Sequence, residues 1–480
     1  MFDLIKDILR FDPEGQPVVV RGWVRTKREL KNLVFVEVND GSCFAGIQCA
    51  FDKTPFDKTP FDKTPFDKRE ETAHVTDEIL STLRTGASVE IRGELAPSPA
   101  AGQRSEVSGR EIRLIGDAEN YPLQKKRHSF EFLREIAHLR PRTNTFGAVA
   151  RVRGALAYAA HEFFQKRSFH YIHTPIITAN DAEGAGAMFQ VTTLDMEKVA
   201  HDGGQGKPPD FHADFFGKKT FLTVSGQLEA ETYATALSRV YTFGPTFRAE
   251  NSNTARHLAE FWMVEPEAAF ADLRDNMELA EDFLKSLLAY ALDNCGEDLA
   301  FFDAHVEKGI VAALEAVVDA RFTHISYTDA VKELEKHAGG FEFKPSWGCD
   351  LQSEHEKFLT EKVARGPVIV TDYPKEIKAF YMKMNDDGKT VRAMDVLAPR
   401  LGEIIGGSQR EDNLEKLEKR MSELGMKTES YWWYLDVRRF GSAPHSGFGM
   451  GFDRLVQYVT GMANIRDVIP YPRAAGLAEF

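Results

Sequence analysis

Between residues 17 and 115 the chain carries five short apolar runs, and that crowding narrows the fold more than any other feature. The runs are PVVVRGWV, LVFVEV, CFAGIQCAF, SVEIRGEL and EIRLIG, each bounded by turn-forming or charged residues. Strands this short cannot bury a face singly, and five in succession suit a small Greek-key barrel of the oligonucleotide-binding kind. Parity within the runs is informative. Val34, Val36 and Val38 share one face of their strand, and Phe35 and Glu37 share the other. The valines belong in the core, so Phe35 is expected to face solvent. On the next run Ile47, Cys49 and Phe51 alternate with Gln48, which therefore points outward as well. An outward aromatic offers a platform to an unpaired base, and an amide can read a base edge. Arg25, Lys27, Arg28 and Lys31 lie just upstream, where they would meet phosphates. A charge run alone is usually a solvated face; with Phe35 and Gln48 beside it, single-stranded RNA is the favoured partner.

From Phe51 the chain reads FDKTP three times and then FDK. A proline every fifth residue excludes a regular helix or a central strand, and the period is too short for a solenoid. The segment 51–68 is expected to be an insertion loop between barrel strands. LAPSPAAGQRSEVSG reads as a further loop. These boundaries give a barrel domain over 1–117, a linker over 118–140 and a larger domain over 141–480. The larger domain starts with a helix near 145–167, followed by a strand, HYIHTPIIT. A second amphipathic helix spans 271–295, and PVIVTDYP, AFYMKM, RAMDVLAP and EIIGG are expected strands. Helices mixed with mostly antiparallel strands make an α+β domain. A chain of 480 residues holds two or three such domains. Its net charge of −13 argues against a protein coated in nucleic acid, so any contact with RNA must be local. No apolar run is long enough to cross a bilayer, and MFDLIKDILRFDPEG reads as a short amphipathic helix, not a secretory signal. Cys43, Cys49, Cys295 and Cys349 lack zinc spacing and fit a reducing cytoplasm.

The chemistry concentrates in FRAENSNTARHLAEFWMVE, residues 247–265. Arg248 and Glu250 share a face, and so do Phe261, Met263 and Glu265 on the returning strand. A cation, an aromatic plane and carboxylates on one hairpin suit a nucleotide held by its phosphates and its base. Near the C-terminus SGFGMGFDRL places glycines at 447, 449 and 451 before Arg454, whose guanidinium can stack on a base and meet a phosphate. Asp395 and Glu403 flank AMDVLAPRLGE and could hold magnesium against a triphosphate. Read singly, each of these features also fits an ordinary surface.

Together the pieces resemble the class II aminoacyl-tRNA synthetases. HYIHTPIIT with Pro175 is similar to their first motif, TFRAE and RHLAEF to the second, and GFGMGFDR to the third. The barrel points to the aspartyl, asparaginyl and lysyl subgroup. RPRTNTFGAVARVR, TVSGQLEAETYA and IIGGSQRED resemble the bacterial-type asparaginyl-tRNA synthetases. The likeness spans the chain apart from the FDKTP insertion. It implies a homodimer that makes asparaginyl-adenylate from asparagine and ATP and passes the amino acid to tRNA(Asn). By position, Arg248 would bind the α-phosphate, Arg454 would meet the γ-phosphate and stack on adenine opposite Phe261, and His257 would hold the γ-phosphate. Glu250 would lie near the adenine, and Asp395 and Glu403 would hold Mg2+. Glu183 and Gln227 would bind the amino group of the amino acid. Phe35 and Gln48 match positions that read the central anticodon base, with Arg25 assigned to the same surface.

Asparagine and aspartate are almost isosteric, so charge must separate them. The aspartyl enzymes carry a lysine three residues after the glutamine of their S-P-Q-L-Y-K segment, and Ala230 stands there in this chain. An ionised Glu265 could accept from the carboxamide while Arg410 donates to its carbonyl. Three rivals stand beside this reading. One is an aspartyl-tRNA synthetase of relaxed specificity. Another is an enzyme that amidates aspartate with ATP. The third is a non-catalytic tRNA-binding paralogue.

Overall fold

The computed structural model describes residues 3–52, 76–182, 187–203, 208–252 and 254–480. The FDKTP repeat beyond Asp52 and the candidate amino-acid ligand Glu183 lie outside them. The chain divides into two compact units, Met1–Arg151 and Val152–Phe480.

The first unit contains a closed barrel in the order β1-β2-β3-β5-β4, formed by β1 (Pro17–Glu29), β2 (Leu33–Asn39), β3 (Ile47–Asp52), β4 (Ser88–Pro97) and β5 (Ser105–Gly116). Five strands were expected here, and the parity argument holds. Val34, Val36, Val38, Ile47, Cys49 and Phe51 are buried together with Val20, Val89 and Ile91, while Phe35 and Gln48 lie half-buried on the outer face. Two details differ from the sequence reading. The loop expected over 95–109 shrinks to residues 98–104, because Ser105–Gly109 pair with β4. The expected N-terminal helix is a single turn, Ile5–Ile8, tied down by Asp40 accepting from the Ile5 N–H at 2.8 Å.

The second unit is built on an eight-stranded sheet. It begins within helix α1 (Asn144–Lys166), which leads into β6 (His170–Tyr171) and β7 (Ile177–Thr178). After β8 (Gln190–Val191) and β9 (Thr220–Leu222) come helix α2 (Gln227–Leu237), β10 (Arg239–Phe247), β11 (Glu260–Ala269) and helix α3 (Leu273–Asn294). The remainder supplies β12 (Thr323–Ser326), helix α4 (Ser353–Phe358), β13 (Val368–Pro374), β14 (Thr390–Ala398), β15 (Gly402–Gln409), helix α5 (Trp432–Arg439), β16 (His445–Gly451) and helix α6 (Phe452–Thr460). The large sheet runs β12-β13-β14-β15-β16-β11-β10-β6, and β7-β9-β8 form a small second sheet. All neighbours in the large sheet are antiparallel except β12–β13 and β10–β6. The expected single strand HYIHTPIIT is split between β6 and β7, with Pro175 between them. AFYMKM does not form a strand and contributes only isolated bridges from Met382 and Met384.

The two faces of the β10–β11 hairpin have different tasks. Tyr241 and Phe243 turn to the apolar side, where Phe164 of α1 stacks on Tyr241 at 4.8 Å and Phe283 of α3 meets Phe164 at 4.6 Å. The other face carries Phe261, Met263, Glu265 and Glu267. Helix α2 covers one end of it, with Ala230 and Ala234 packed on Val240.

Candidate active site

Six of the residues proposed for the nucleotide line a single cleft of about 160 Å³: Arg248, Glu250, His257, Phe261, Glu403 and Arg454. Its placement follows from the hairpin. Strand β10 ends at Phe247, so Arg248 leaves the sheet at the edge of the cleft, where its N–H donates to Ala259 at 2.9 Å. Its guanidinium lies 5.4 Å from the Phe261 ring, a cation beside an aromatic plane. Arg454 arrives from the first turn of α6. The neighbouring Asp453 fixes that turn to β11 by accepting from the Trp262 N–H at 2.8 Å, and Arg153 pairs with the same carboxylate.

The glycines of the third motif exist for close approach. A side chain at Gly449 would meet the Met263 methyl at 2.7 Å, and one at Gly447 would collide with the Glu267 carboxylate. Burial and the neighbouring Arg454, Arg248 and Arg256 lower the pKa of His257 against the pull of Glu250, so its imidazole carries less charge than an ordinary one at the same pH.

Asp395 and Glu403 do converge. A side chain at Gly406 would stand 3.2 Å from Glu403 Oε1 and 3.4 Å from Asp395 Oδ1, so both oxygens look into one space. Lys378 donates to the other oxygen of Asp395 at 2.7 Å. A third acid, Glu356 of α4, accepts from the Glu403 N–H at 3.2 Å. Burial, then Glu403 and Asp395, push its carboxyl up to about 7. Among the described residues no cluster of three or more metal-ligating side chains is arranged to enclose an ion. Two hard carboxylates fit a magnesium that keeps water and phosphate oxygens as its remaining ligands.

Farther in along the same face of β11, past Met263 and Gly449, lies a buried charge network. Glu265 accepts from the Ser225 hydroxyl, from the Gly226 N–H at 3.1 Å and from the Thr242 hydroxyl at 3.0 Å. Arg410 is 1% exposed and grips Glu267 with two N–H groups, at 2.5 and 3.2 Å, while a third donates to Ser408 at 2.7 Å. Gln227 donates to Glu231 at 3.0 Å. Glu231 is fully buried and also meets Arg438 at 2.6 Å, Tyr434 at 2.8 Å and His445 at 3.0 Å. Burial alone would raise its pKa, but Arg438, His445 and Arg410 together hold it well below the usual carboxylate range.

The sequence reading placed Gln227, Glu265 and Arg410 together, and they are together. It missed Glu231, Glu267, Arg438 and His445. Period two could have found Glu267, which continues the face of Phe261, Met263 and Glu265, and Glu231 is one helical turn from Gln227. Nothing local marks Arg438 or His445.

On the barrel, Phe35 carries the guanidinium of Arg28 at 4.9 Å, and Gln48 donates to Glu106 at 2.9 Å. Arg25 does not join them. It falls at an irregularity in the β1–β2 pairing between Val24 and Thr26, whereas Arg28 pairs directly with Phe35. It lines a groove of about 780 Å³ with Trp23, Tyr121, Lys125, Lys126 and Arg142. Burial, together with Arg151 and Arg142, lowers its pKa against the pull of Tyr121 and Glu37. Lys27 is also spent, donating to the carbonyls of Leu80 and Ser81. The cation beside Phe35 is Arg28.

Comparison with known proteins agrees with this geometry. Residues 130–475 match the family described as tRNA synthetases class II (D, K and N), and residues 18–115 match the OB-fold nucleic acid binding domain. A barrel followed by an antiparallel sheet with arginines facing a nucleotide cleft defines that class, and the chain belongs to it. Within the class its similarity is to asparagine–tRNA ligases. The Treponema denticola protein of that name is 63% identical over the full length of both chains, and the Synechocystis one is 55% identical over 99% of each. Pyrococcus horikoshii asparaginyl-tRNA synthetase complexed with asparaginyl-adenylate superposes with a TM-score of 0.84 at 31% identity over the whole of both chains. An Entamoeba histolytica aspartyl-tRNA synthetase, at 21% identity and a TM-score of 0.75, shares the fold alone. The fold is therefore common to relatives named for either amino acid.

Proposed function

We propose that this chain activates L-asparagine with ATP to asparaginyl-adenylate and transfers the amino acid to the 3′ end of tRNA(Asn), releasing AMP and diphosphate. The observation that carries this reading is one face of β11, which sets Phe261 in the cleft of Arg248 and Arg454 and, past Met263, Glu265 beside the network that joins Gln227, Glu231 and Arg410. The asparagine carboxylate is already charged, so no protein nucleophile or base is needed to start the reaction. Arg248 holds the α-phosphate and neutralises the charge that builds on it as the carboxylate attacks. Arg454 and His257 hold the γ-phosphate, with Phe261 and Arg454 enclosing the adenine and Glu250 beside it. Asp395 and Glu403 are the side chains that would hold Mg2+, which supplies charge neutralisation along the phosphates. Gln227 and Glu265 orient the amino acid, and the two N–H groups that Arg410 does not give to Glu267 or Ser408 are available to a carboxamide oxygen. Holding the two reactants in line supplies most of the acceleration.

Phe35 and Gln48, with Arg28 in place of Arg25, form the anticodon-reading surface of a domain over 1–117. The basic groove around Arg25 and Arg142 faces the phosphate backbone of the same tRNA. Residues 118–140 act as the hinge and 141–480 as the catalytic domain. The chain works as a homodimer through the first motif, where Tyr158, Tyr171, Ile176 and Ile177 are exposed apolar groups that a second copy would cover. Four free thiols suit a cytoplasmic setting, and among the described residues no helix is long and apolar enough to cross a membrane.

ATP–pyrophosphate exchange with a panel of amino acids, followed by charging of bulk tRNA, tests the assignment. Exchange driven by asparagine and charging of an asparagine-accepting tRNA are expected. Exchange driven better by aspartate, or no exchange with any amino acid, contradicts it.

A further inference from the structure

A glutamine side chain can present either its oxygen or its NH2 group, and its surroundings decide which. At Gln227 the deciding neighbour is Glu231, one helical turn along α2. The two oxygens of Glu231 have separate partners. Oε2 accepts from Arg438 at 2.6 Å and from Tyr434 at 2.8 Å, and it meets His445 Nε2 at 3.0 Å. Oε1 accepts from the Gln227 NH2 group at 3.0 Å, with Arg410 3.9 Å away. Arg438 keeps this fully buried carboxylate ionised, and an ionised carboxylate only accepts. The NH2 end of Gln227 therefore has to face Glu231, and the amide oxygen has to turn away. That oxygen accepts no hydrogen bond among the described residues, and it is not shut off from solvent. Gln227 also stands next to the acid assigned to the carboxamide. Its backbone N–H donates to the Ser225 hydroxyl at 3.1 Å, and that hydroxyl donates to Glu265.

We propose that Glu231 is a positioning residue for the amino acid: by holding the NH2 end of Gln227, it aims the amide oxygen at the ammonium group of bound asparagine. This deepens the asparagine-activating reading and rests on it. The oxygen is the end that an ammonium needs, because an ammonium only donates. A Gln227 turned the other way would set NH2 against the ammonium, two donors with no acceptor between them, and a hydrogen bond to a charged group would be lost. Glu231 prevents that turn without touching the substrate, since Arg438, Tyr434 and His445 fix its other oxygen.

The preference of the site for an ammonium can be read directly. L-Asparaginol and its deamino analogue carry the same carboxamide and hydroxyl, cannot be activated, and differ in the ammonium alone. Their inhibition constants in asparagine-dependent ATP–pyrophosphate exchange give the preference, which should be strong in the unaltered protein. In Glu231→Gln the new amide gives its oxygen to Arg438, so its NH2 group faces Gln227 and Gln227 turns over. The preference should fall by about tenfold, with the KM for ATP unchanged. The exchanged pair, Q227E with E231Q, restores a donor facing an acceptor with an oxygen left for the ammonium, and it should recover the preference. A merely structural role for Glu231 would weaken both inhibitors together and keep their ratio. That result overturns the proposal, as does an exchanged pair that folds and recovers nothing. Should E231Q fail to fold, Gln227→Met decides, because it removes the oriented oxygen and leaves Glu231 on Arg438, Tyr434 and His445. Loss of the preference there supports the proposal, and its retention overturns it. An unaltered protein that exchanges with asparagine but binds both inhibitors equally defeats this inference alone; one that does not exchange with asparagine defeats the underlying reading.

Discussion

The two ends of the cleft are built on opposite plans. At the open end Arg248, His257 and Arg454 line open space. Among the described residues Arg454 reaches the Glu403 carbonyl at 3.4 Å and its carboxylate at 4.0 Å. At the inner end Glu231, Glu267, Arg410 and Arg438 are buried and bonded to one another, so their geometry exists without a ligand. The open end is suited to a polyanion whose charge develops and departs during the reaction. The inner end is suited to a small neutral group that must be told from a near-copy. A preformed site discriminates without reorganising; a loosely held set of cations can follow the phosphates.

The largest effect that would break or sharpen this contrast is expected from Arg248→Ala. Adenylate formation should fall by about a hundred- to a thousandfold, as when a charge-stabilising donor is removed elsewhere, with the melting temperature unchanged. A drop in stability would mean that the open end is structural after all. Glu231→Ala should do the reverse. It strands Arg438 and the Arg410 side of the network without a counter-charge, at a cost of about 3–5 kcal/mol, read as a lower midpoint in denaturant unfolding. The sign with pH follows. Glu231 titrates below its ordinary value of 4.5, so its contribution is complete above that value and is lost as acid titrates the folded protein, and the Ala variant should lack this acid-side loss. Phe35→Ala lies in the barrel and should touch neither end. Charging of tRNA is expected to weaken by about 1–3 kcal/mol of stacking, with exchange preserved.

Much of the site was legible in the sequence, and the reason is geometric. Arg248, Phe261 and Glu265 sit on a hairpin, where period two converts spacing directly into shared orientation. Phe35 and Gln48 were legible for the same reason. Strand parity does not reach Arg25, because an irregularity in the pairing breaks the period there, a backbone feature the side-chain pattern does not encode. AFYMKM was misread as a strand because its apolar content serves packing: Phe380 and Tyr381 lie in a cluster with Tyr431 and Tyr434. Arg438 and His445 were invisible because their partner Glu231 is more than two hundred residues away along the chain. Only the sheet order brings them together.

The smallest expected effect belongs to His257. Its pKa is lowered from an ordinary 6.5, so protonation, and a stronger hold on phosphate, should appear only at a pH below that value. The apparent KM for ATP should fall by a few-fold, about two to five, on acidification through that range, and the fall should vanish in His257→Asn.

A crystal structure with a non-hydrolysable asparaginyl-adenylate analogue tests the contrast most directly. Glu265, Glu267, Gln227 and Arg410 should keep their positions to within about 0.5 Å, with Arg410 still on Glu267, while Arg248 swings onto the phosphate. An Arg410 that releases Glu267 to reach the ligand, or an Arg248 that stays turned away from the phosphate, would contradict the account.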